Sequence, residues 1–157
     1  MDILNHEFLF FLECAGKNSL RYLLIGGYAV NYFGFHRYTN DMDVWIAPTE
    51  GNKQCFLSTL RCMNYHEDEI KQIENQDFTT HFMCTLGEPP HVIDVLTIVH
   101  RKLSFDEAEQ NKHVHLVGED VELHVVSYET LKDIKLRSDR KKDLYDIEML
   151  EKLRKEK

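Results

Sequence analysis

The sequence has no apolar run approaching the roughly 20 residues that a membrane-spanning helix requires, which excludes a span of that kind. It shows no internal repeat, no low-complexity stretch and no linker, so a single domain covering residues 1–157 is the expectation. Its start, Met1-Asp2-Ile3-Leu4-Asn5-His6-Glu7, has no basic segment and does not read as a secretory signal. The cysteines Cys14, Cys55, Cys62 and Cys84 form neither a CxxC pair nor a disulfide-framework rhythm. Four reduced thiols in a cytoplasmic protein are therefore expected. Basic charge is in deficit: 19 lysines and arginines face 27 acidic residues, for a net charge of -8. That balance argues against a surface that coats nucleic acid broadly, while leaving room for a local phosphate site.

What is present is globular in composition, with 43% hydrophobic and 29% charged residues in 157. A chain of this length buries roughly 70% of its unfolded surface and needs no metal or disulfide to support a core. Ile3 to Ala15 reads as a helix with Gly16 as the residue just past its end. Tyr22-Leu23-Leu24-Ile25 reads as a buried strand stopping at Gly26-Gly27, and Tyr28 to Phe35 as a helix ending near Gly34. Asp41 to Ile46 alternates strictly and ends before Pro48, which is strand periodicity. Thr49 is placed to cap a helix whose inward stripe is Phe56, Leu57, Leu60 and Met63. Two hairpins are expected, Phe78–Thr85 with His91–Val99 and His113–Val117 with Val121–Val126. Ser127 caps a helical tail with Leu131, Ile134, Leu144, Ile147 and Leu150 as apolar positions. The expected class is α/β (α+β), a short mixed β-sheet flanked by helices and closed by a C-terminal helix.

The chemistry-bearing stretch runs from Gly26 to Asp43. Two glycines between a buried strand and a helix let backbone approach a bulky anion, with the free N–H groups of the helix start behind them. Asp41 and Asp43 lie two apart on one strand, so both carboxylates project from the same face, about 6.6 Å apart along the backbone. Oxygens converging to about 4–5 Å would repel by roughly 3–4 kcal/mol, which calls for a positive neighbour. Mg²⁺ with all-oxygen ligands, completed by substrate phosphates, suits such a pair. Asp94 interrupts the apolar run Val92-Ile93-Asp94-Val95-Leu96, where a carboxylate is costly without a cation or hydrogen-bond partners. If its strand lies beside the Asp41–Asp43 strand, the three acids form one metal-binding cluster.

The pattern Gly26-Gly27-x-Ala29-x-x-x-x-Gly34-x-x-Arg37-x-Thr39-x-Asp41-x-Asp43-Val44 resembles the signature of the DNA polymerase beta-like nucleotidyltransferase superfamily. The similarity is greatest to the Gly-Gly form of minimal, antibiotic and abortive-infection toxin nucleotidyltransferases. The tail Leu131-x-x-x-Lys135-x-x-x-x-Arg140-x-x-Asp143-Leu144-x-Asp146 resembles the end of the toxin-type domains. The matching segments span roughly half the chain. The resemblance implies the nucleotidyltransferase fold, Gly26 and Gly27 on a nucleoside triphosphate, and Asp41, Asp43 and Asp94 on one or two Mg²⁺ ions. Asp94 would also help deprotonate the acceptor hydroxyl, and attack at the α-phosphate would expel pyrophosphate. Lys135 and Arg37 would contact phosphate, with Thr39 beside them in the motif. Tyr28 stands where many relatives carry serine, which removes one hydroxyl contact. No large C-terminal domain of the kind that gives many relatives their acceptor specificity is expected within these residues, so the acceptor is open: a small molecule, a protein or tRNA. A non-catalytic nucleotide-binding module, or a partner in a toxin–antitoxin pair or homodimer, is the alternative implied.

Charge is uneven. Ser127 to Lys157 carries ten basic and eight acidic residues, against nine basic and nineteen acidic in the rest. A basic C-terminal element beside an acidic cluster would attract triphosphate while the cation sits on the carboxylates. The remaining alternatives are structural: Arg37 bracing the loop through Asp41, and Lys135 or Arg140 pairing with Asp139 or Asp143 on a solvated face. His113 and His115 share one strand face, and with His124 on the facing strand they raise a zinc site as a further option.

Overall fold

A computed structural model describes residues 5–156. The opening helix α1 (His6–Lys17) is capped by the Asn5 side chain, which accepts from the Glu7 and Phe8 amides. Its first expected residues, Ile3 and Leu4, lie outside the described residues. Gly16 falls inside α1 rather than past its end. The chain leaves the helix through Ser19 at φ 54, with the Leu20 amide bonded back to the Ala15 carbonyl.

Strand β1 (Tyr22–Ile25) is buried throughout and runs directly into α2 (Gly26–Tyr32), so the helix begins two residues earlier than its apolar spacing suggests. β2 (Met42–Ile46) is followed by α3 (Glu50–Cys62), and Thr49 caps α3 through the Asn52 amide as expected. Next come α4 (Glu67–Glu74), β3 (Met83–Leu86) and β4 (Ile93–Leu96). The hairpin β5 (His113–Val117) and β6 (Val121–Val125) follows α5 (Phe105–Gln110). The tail is two helices, not one. Asp139, in the left-handed region at φ 54, separates α6 (Tyr128–Ser138) from α7 (Lys141–Lys155). Leu144, expected inward, is exposed as a consequence of that break.

Among the described residues the fold is mixed α/β: seven helices around a six-stranded sheet of order β3-β4-β2-β1-β6-β5. β1 pairs antiparallel with β2 and parallel with β6, while β2 pairs parallel with β4. Register puts Leu23, Ile25, Asp43, Trp45, Asp94 and Leu96 on one face and Leu24, Met42, Val44 and Val95 on the other. On the first face Trp45 meets Phe105 of α5 edge-on at 5.3 Å. On the second, Tyr22 meets Phe11 of α1 at 6.1 Å. No helix among the described residues is long and apolar enough to cross a membrane.

Two expectations fail on tertiary grounds. Cys14 of α1 and Cys62 of α3 form a disulfide with Cα atoms 5.6 Å apart, so the four thiols are not all reduced. The helices pack face to face, which brings together two cysteines 48 residues apart that no local spacing connects. Cys55 and Cys84 remain free thiols. The three histidines do not meet either. Val114 stands opposite His124 in the β5–β6 ladder, so His124 projects from the face opposite to His113 and His115. His113 and His115 pack against Tyr32, whereas His124 stacks on Tyr22 at 5.1 Å.

Candidate active site

The parallel pairing of β2 with β4 sets Asp43 directly opposite Asp94. Paired residues on adjacent strands share a face, so both carboxylates rise on the same side of the sheet. Asp41 lies one residue before β2 on the same alternation, and all three acids line one cavity of about 510 Å³. Thr85, opposite Asp94 on β3, donates its hydroxyl to Asp94 Oδ1 at 2.7 Å and leaves Oδ2 without that partner. The condition attached to Asp94 in the sequence, a strand adjacent to the aspartate pair, is met.

Gly26 is where β1 turns into α2. Its φ is 71, and a Cβ there would overlap the Asp43 carboxylate, lying 2.9 Å from Asp43 Cβ. The position therefore excludes a side chain both by dihedral and by space, and the bare backbone lies against Asp43. A Cβ on Gly27 would come 2.6 Å from Thr39 Oγ1 and 3.3 Å from Arg37 Nη1. Thr39 and Arg37 thus close over the second glycine, and both line the cavity with the acids. Tyr28 turns inward, 6% exposed, with its ring edge-on to Phe8 at 5.3 Å. α2 has only seven residues.

Opposite the acids stand Lys135 of α6 and the helix junction. Lys135 is 5% exposed, and its ammonium lies 2.8 Å from Asp143 Oδ1 and 3.1 Å from Asp146 Oδ2. Arg37 grips Asp146 with two parallel bonds, Nε to Oδ1 at 2.8 Å and Nη2 to Oδ2 at 2.9 Å. Arg140 reaches Asp143 at 2.9 Å. These cations are tied to two buried carboxylates of α7, not to Asp41, Asp43 or Asp94. Arg37 accordingly does not brace Asp41, and Lys135 does not sit on a solvated face. Burial would raise the Asp143 carboxyl, but hydrogen bonds from Lys135, Ser138 and Arg140 with the Lys135 charge outweigh it and hold it at about 2.

Asp43 shows the opposite balance. Burial, then the charges of Asp94 and Asp41, push its carboxyl up to about 7, against a weaker downward pull from Lys135 and Arg140. Three carboxylates lining one cavity, with no ion-paired lysine or arginine among the described residues, are the donor chemistry of a hard divalent ion such as Mg²⁺, and Asn40 adds to the same wall a buried Oδ1 with no hydrogen-bond partner there. The residues fit such an ion by donor type. Among the described residues, no three acidic, histidine or cysteine side chains stand placed to hold a metal ion together.

The chain matches no protein-family model and no curated protein sequence. The site therefore rests on its own geometry. All eight residues singled out in the sequence (Gly26, Gly27, Arg37, Thr39, Asp41, Asp43, Asp94 and Lys135) line one cavity. The sequence pattern offered Asp143 as a partner for Lys135 or Arg140, a pairing the structure shows, but Thr85, Asn40 and the anchoring role of Asp146 went unread. Asp143 and Asp146 together carry a signal: carboxylates at i and i+3 face the same way on a helix, toward whatever cations pack beside it.

Proposed function

We propose that this protein is a nucleotidyltransferase that moves a nucleoside monophosphate from a nucleoside triphosphate to an acceptor hydroxyl. The observation that carries the reading is the direct opposition of Asp43 and Asp94, with Asp41 beside them, in one cavity with Gly26, Gly27 and Lys135. The motif similarity to polymerase beta-like nucleotidyltransferases assigns the same residues the same parts, and the mixed sheet is the frame such a fold would use.

On this reading the glycine backbone receives the triphosphate, and Arg37 and Lys135 offset its charge. Mg²⁺, when bound, supplies charge neutralisation at the attacking and leaving oxygens. Asp41 and Asp43 orient the phosphates at the reacting end. Asp94 accepts the proton of the acceptor hydroxyl through the oxygen that Thr85 does not hold, and Thr85 fixes its rotamer. The hydroxyl oxygen then bonds to the α-phosphorus as the bond to the β-phosphate oxygen breaks, and pyrophosphate leaves toward the Arg37–Lys135–Arg140 side. Asp143 and Asp146 hold those cations in place before substrate arrives, which lowers the ordering cost of binding. The reaction draws on nucleoside triphosphate in the cytoplasm, with a small molecule, a protein or tRNA as acceptor and a homodimer or antitoxin as companion.

A second reading has one observation in its favour. Tyr28 turns into the core where many relatives offer serine to phosphate, so the site is short of one hydroxyl. That favours a nucleotide-binding module without turnover, acting as a partner of another protein. Incubation with α-labelled triphosphates, Mg²⁺ and a panel of small-molecule, protein and tRNA acceptors separates the two. Label transferred to an acceptor and lost in Asp43→Ala supports the enzyme. Mg²⁺-dependent nucleotide binding with no transfer supports the module, and absence of both defeats the reading.

A further inference from the structure

The sheet has two edges, and they differ. β3 borders the polar cavity, with Met83 in its wall, whereas β5 ends the strand order on the far side and pairs with β6 alone. The five residues of β5, His113-Val114-His115-Leu116-Val117, match β6 one to one. They include no proline, no lysine, arginine or carboxylate, and no bulge. Sheet edges are ordinarily protected by such devices or by a covering segment, because their outward N–H and C=O groups template another strand. Here His113 to Leu116 are all exposed, Val114 at 51% and Leu116 at 58%. Among the described residues, no backbone hydrogen bond joins β5 to anything but β6.

We propose that β5 is the seam of a homodimer, in which two copies pair their β5 strands antiparallel about a two-fold axis through His115 and so join two sheets into one. No residue of β5 lines the polar cavity, so this seam and the nucleotidyltransferase reading stand or fall separately. A second copy is the occupant that the strand's own sequence fits. A two-fold interface must complement itself, since the same patch is present on both sides. With His115 on the axis, His115 faces the partner's His115, Val114 faces the partner's Leu116, and His113 faces the partner's Val117. Val114 and Leu116 point to one face of the hairpin, so the exposed apolar side chains of both copies close into one row across the seam. Neighbouring registers lose this match. An axis at Val114 sets Leu116 against the partner's Lys112, and an axis at Leu116 sets Val114 against the partner's Gly118.

Charge follows the same register. Lys112 comes beside the partner's Gly118, at the turn where Glu119 and Asp120 supply two acids. Among the described residues Lys112 pairs with no carboxylate of its own chain, and its ammonium lies 3.3 Å from His124 Nδ1. The two-fold makes this contact twice, once at each end of the seam. The other face of β5 offers a receptor. Tyr32, Phe33, Leu153 and Arg154 line a cavity of about 610 Å³ with His113 in its wall. The partner's Val117 stands opposite His113 at that wall, and the acidic turn next to it approaches the Arg154 side. Apolar meets apolar and acid meets base on both faces of one strand.

Sedimentation equilibrium of the full chain over a concentration series tests the seam. The expected mass approaches twice the chain's 18.6 kDa at the top of the series and falls to that of one chain on dilution. Leu116→Lys puts an ammonium into the apolar row, yet within its own copy it faces Glu122 across the hairpin, so the fold should be kept. Its dimer affinity should drop by roughly tenfold or more, with an unchanged thermal melt by circular dichroism. His115→Cys sets two thiols opposite each other on the axis, and copper–phenanthroline oxidation should yield a covalent dimer on a non-reducing gel. His113→Cys, which faces the partner's Val117, should give no more than the wild-type background from Cys55 and Cys84. A single-chain mass at every concentration overturns the seam. A dimer that Leu116→Lys leaves as tight as wild type places the contact elsewhere and overturns it as well. Crosslinking through His113→Cys as readily as through His115→Cys overturns the register.

Discussion

Asp43 and Asp94 stand opposite each other on adjacent parallel strands, one residue facing one residue, with the bare backbone of Gly26 against the first and the Thr85 hydroxyl on the second. Burial, and after it the charges of Asp94 and Asp41, disfavour an ionised Asp43, and the cost appears as its raised carboxyl. Between about pH 4 and its folded value of about 7, the folded state keeps a proton that the unfolded chain has released. Stability from this group therefore falls as pH rises through that window and is flat above it. Asp43→Asn should remove the dependence and make the metal-free protein more stable at pH 8 by roughly 2 kcal/mol, about half the full shift because the site is open to water. On the nucleotidyltransferase reading, nucleotidyl transfer by this variant should fall at least a hundredfold. Urea denaturation of both proteins at pH 5 and pH 8 measures the first effect. A wild-type advantage at pH 8 would contradict it.

The two glycines should not respond alike. Gly26→Ala places a methyl group against Asp43 at a left-handed dihedral, and the expected loss is about 2 kcal/mol or more of stability, with loss of nucleotide binding. Gly27→Ala meets only the side chains of Thr39 and Arg37, which can shift, so a loss near 1 kcal/mol is expected. Thermal melts of both variants give the comparison. Equal losses would place the constraint elsewhere than at Asp43.

Asp146 is fully buried and answers both Arg37 and Lys135. Asp146→Ala strands two cations, at an expected cost of about 3–5 kcal/mol. Its neighbour Asp143 has a folded value near 2, below the unfolded one, so its contribution is present above about pH 4 and disappears as pH falls toward 2. Asp143→Asn should flatten that acid limb. Acid denaturation followed by tryptophan fluorescence reports it, since Trp45 is buried at 1% exposure in the core.

Reducing the Cys14–Cys62 disulfide should lower stability by about 2–4 kcal/mol, because the crosslink closes a long loop in the unfolded chain. Denaturation with and without reductant measures it. Identical curves, with four titratable thiols in the unfolded oxidised protein, would mean that no bond forms.

Much of the site could be read along the chain because it is local. Gly26-Gly27 follows β1 directly, and the Asp41–Asp43 alternation declares a strand face by itself. Asp94 advertised itself as one charge in an apolar run, which is a local anomaly with a nonlocal cause. The helices α4 and α5 were not anticipated: both are short and acidic, each with only one or two buried residues to mark a periodicity. Ser104 does cap α5 through the Glu107 amide, a signal present in the residues but easily taken for a turn.

The sequence by itself determined which residues carry charge, which strands carry the acids, and that a glycine pair precedes a helix, since each is a matter of period and residue type within a few positions. Only the tertiary structure decided that Asp94 faces Asp43, that α7 turns back to place Asp143 and Asp146 on the cations, that Cys14 meets Cys62, and that His124 points away from His113 and His115. Strand neighbours, helix packing and ladder register depend on how segments dozens of residues apart bury their apolar faces together, and a one-residue shift in register reverses a side chain's direction. Spacing along the chain carries no record of that choice.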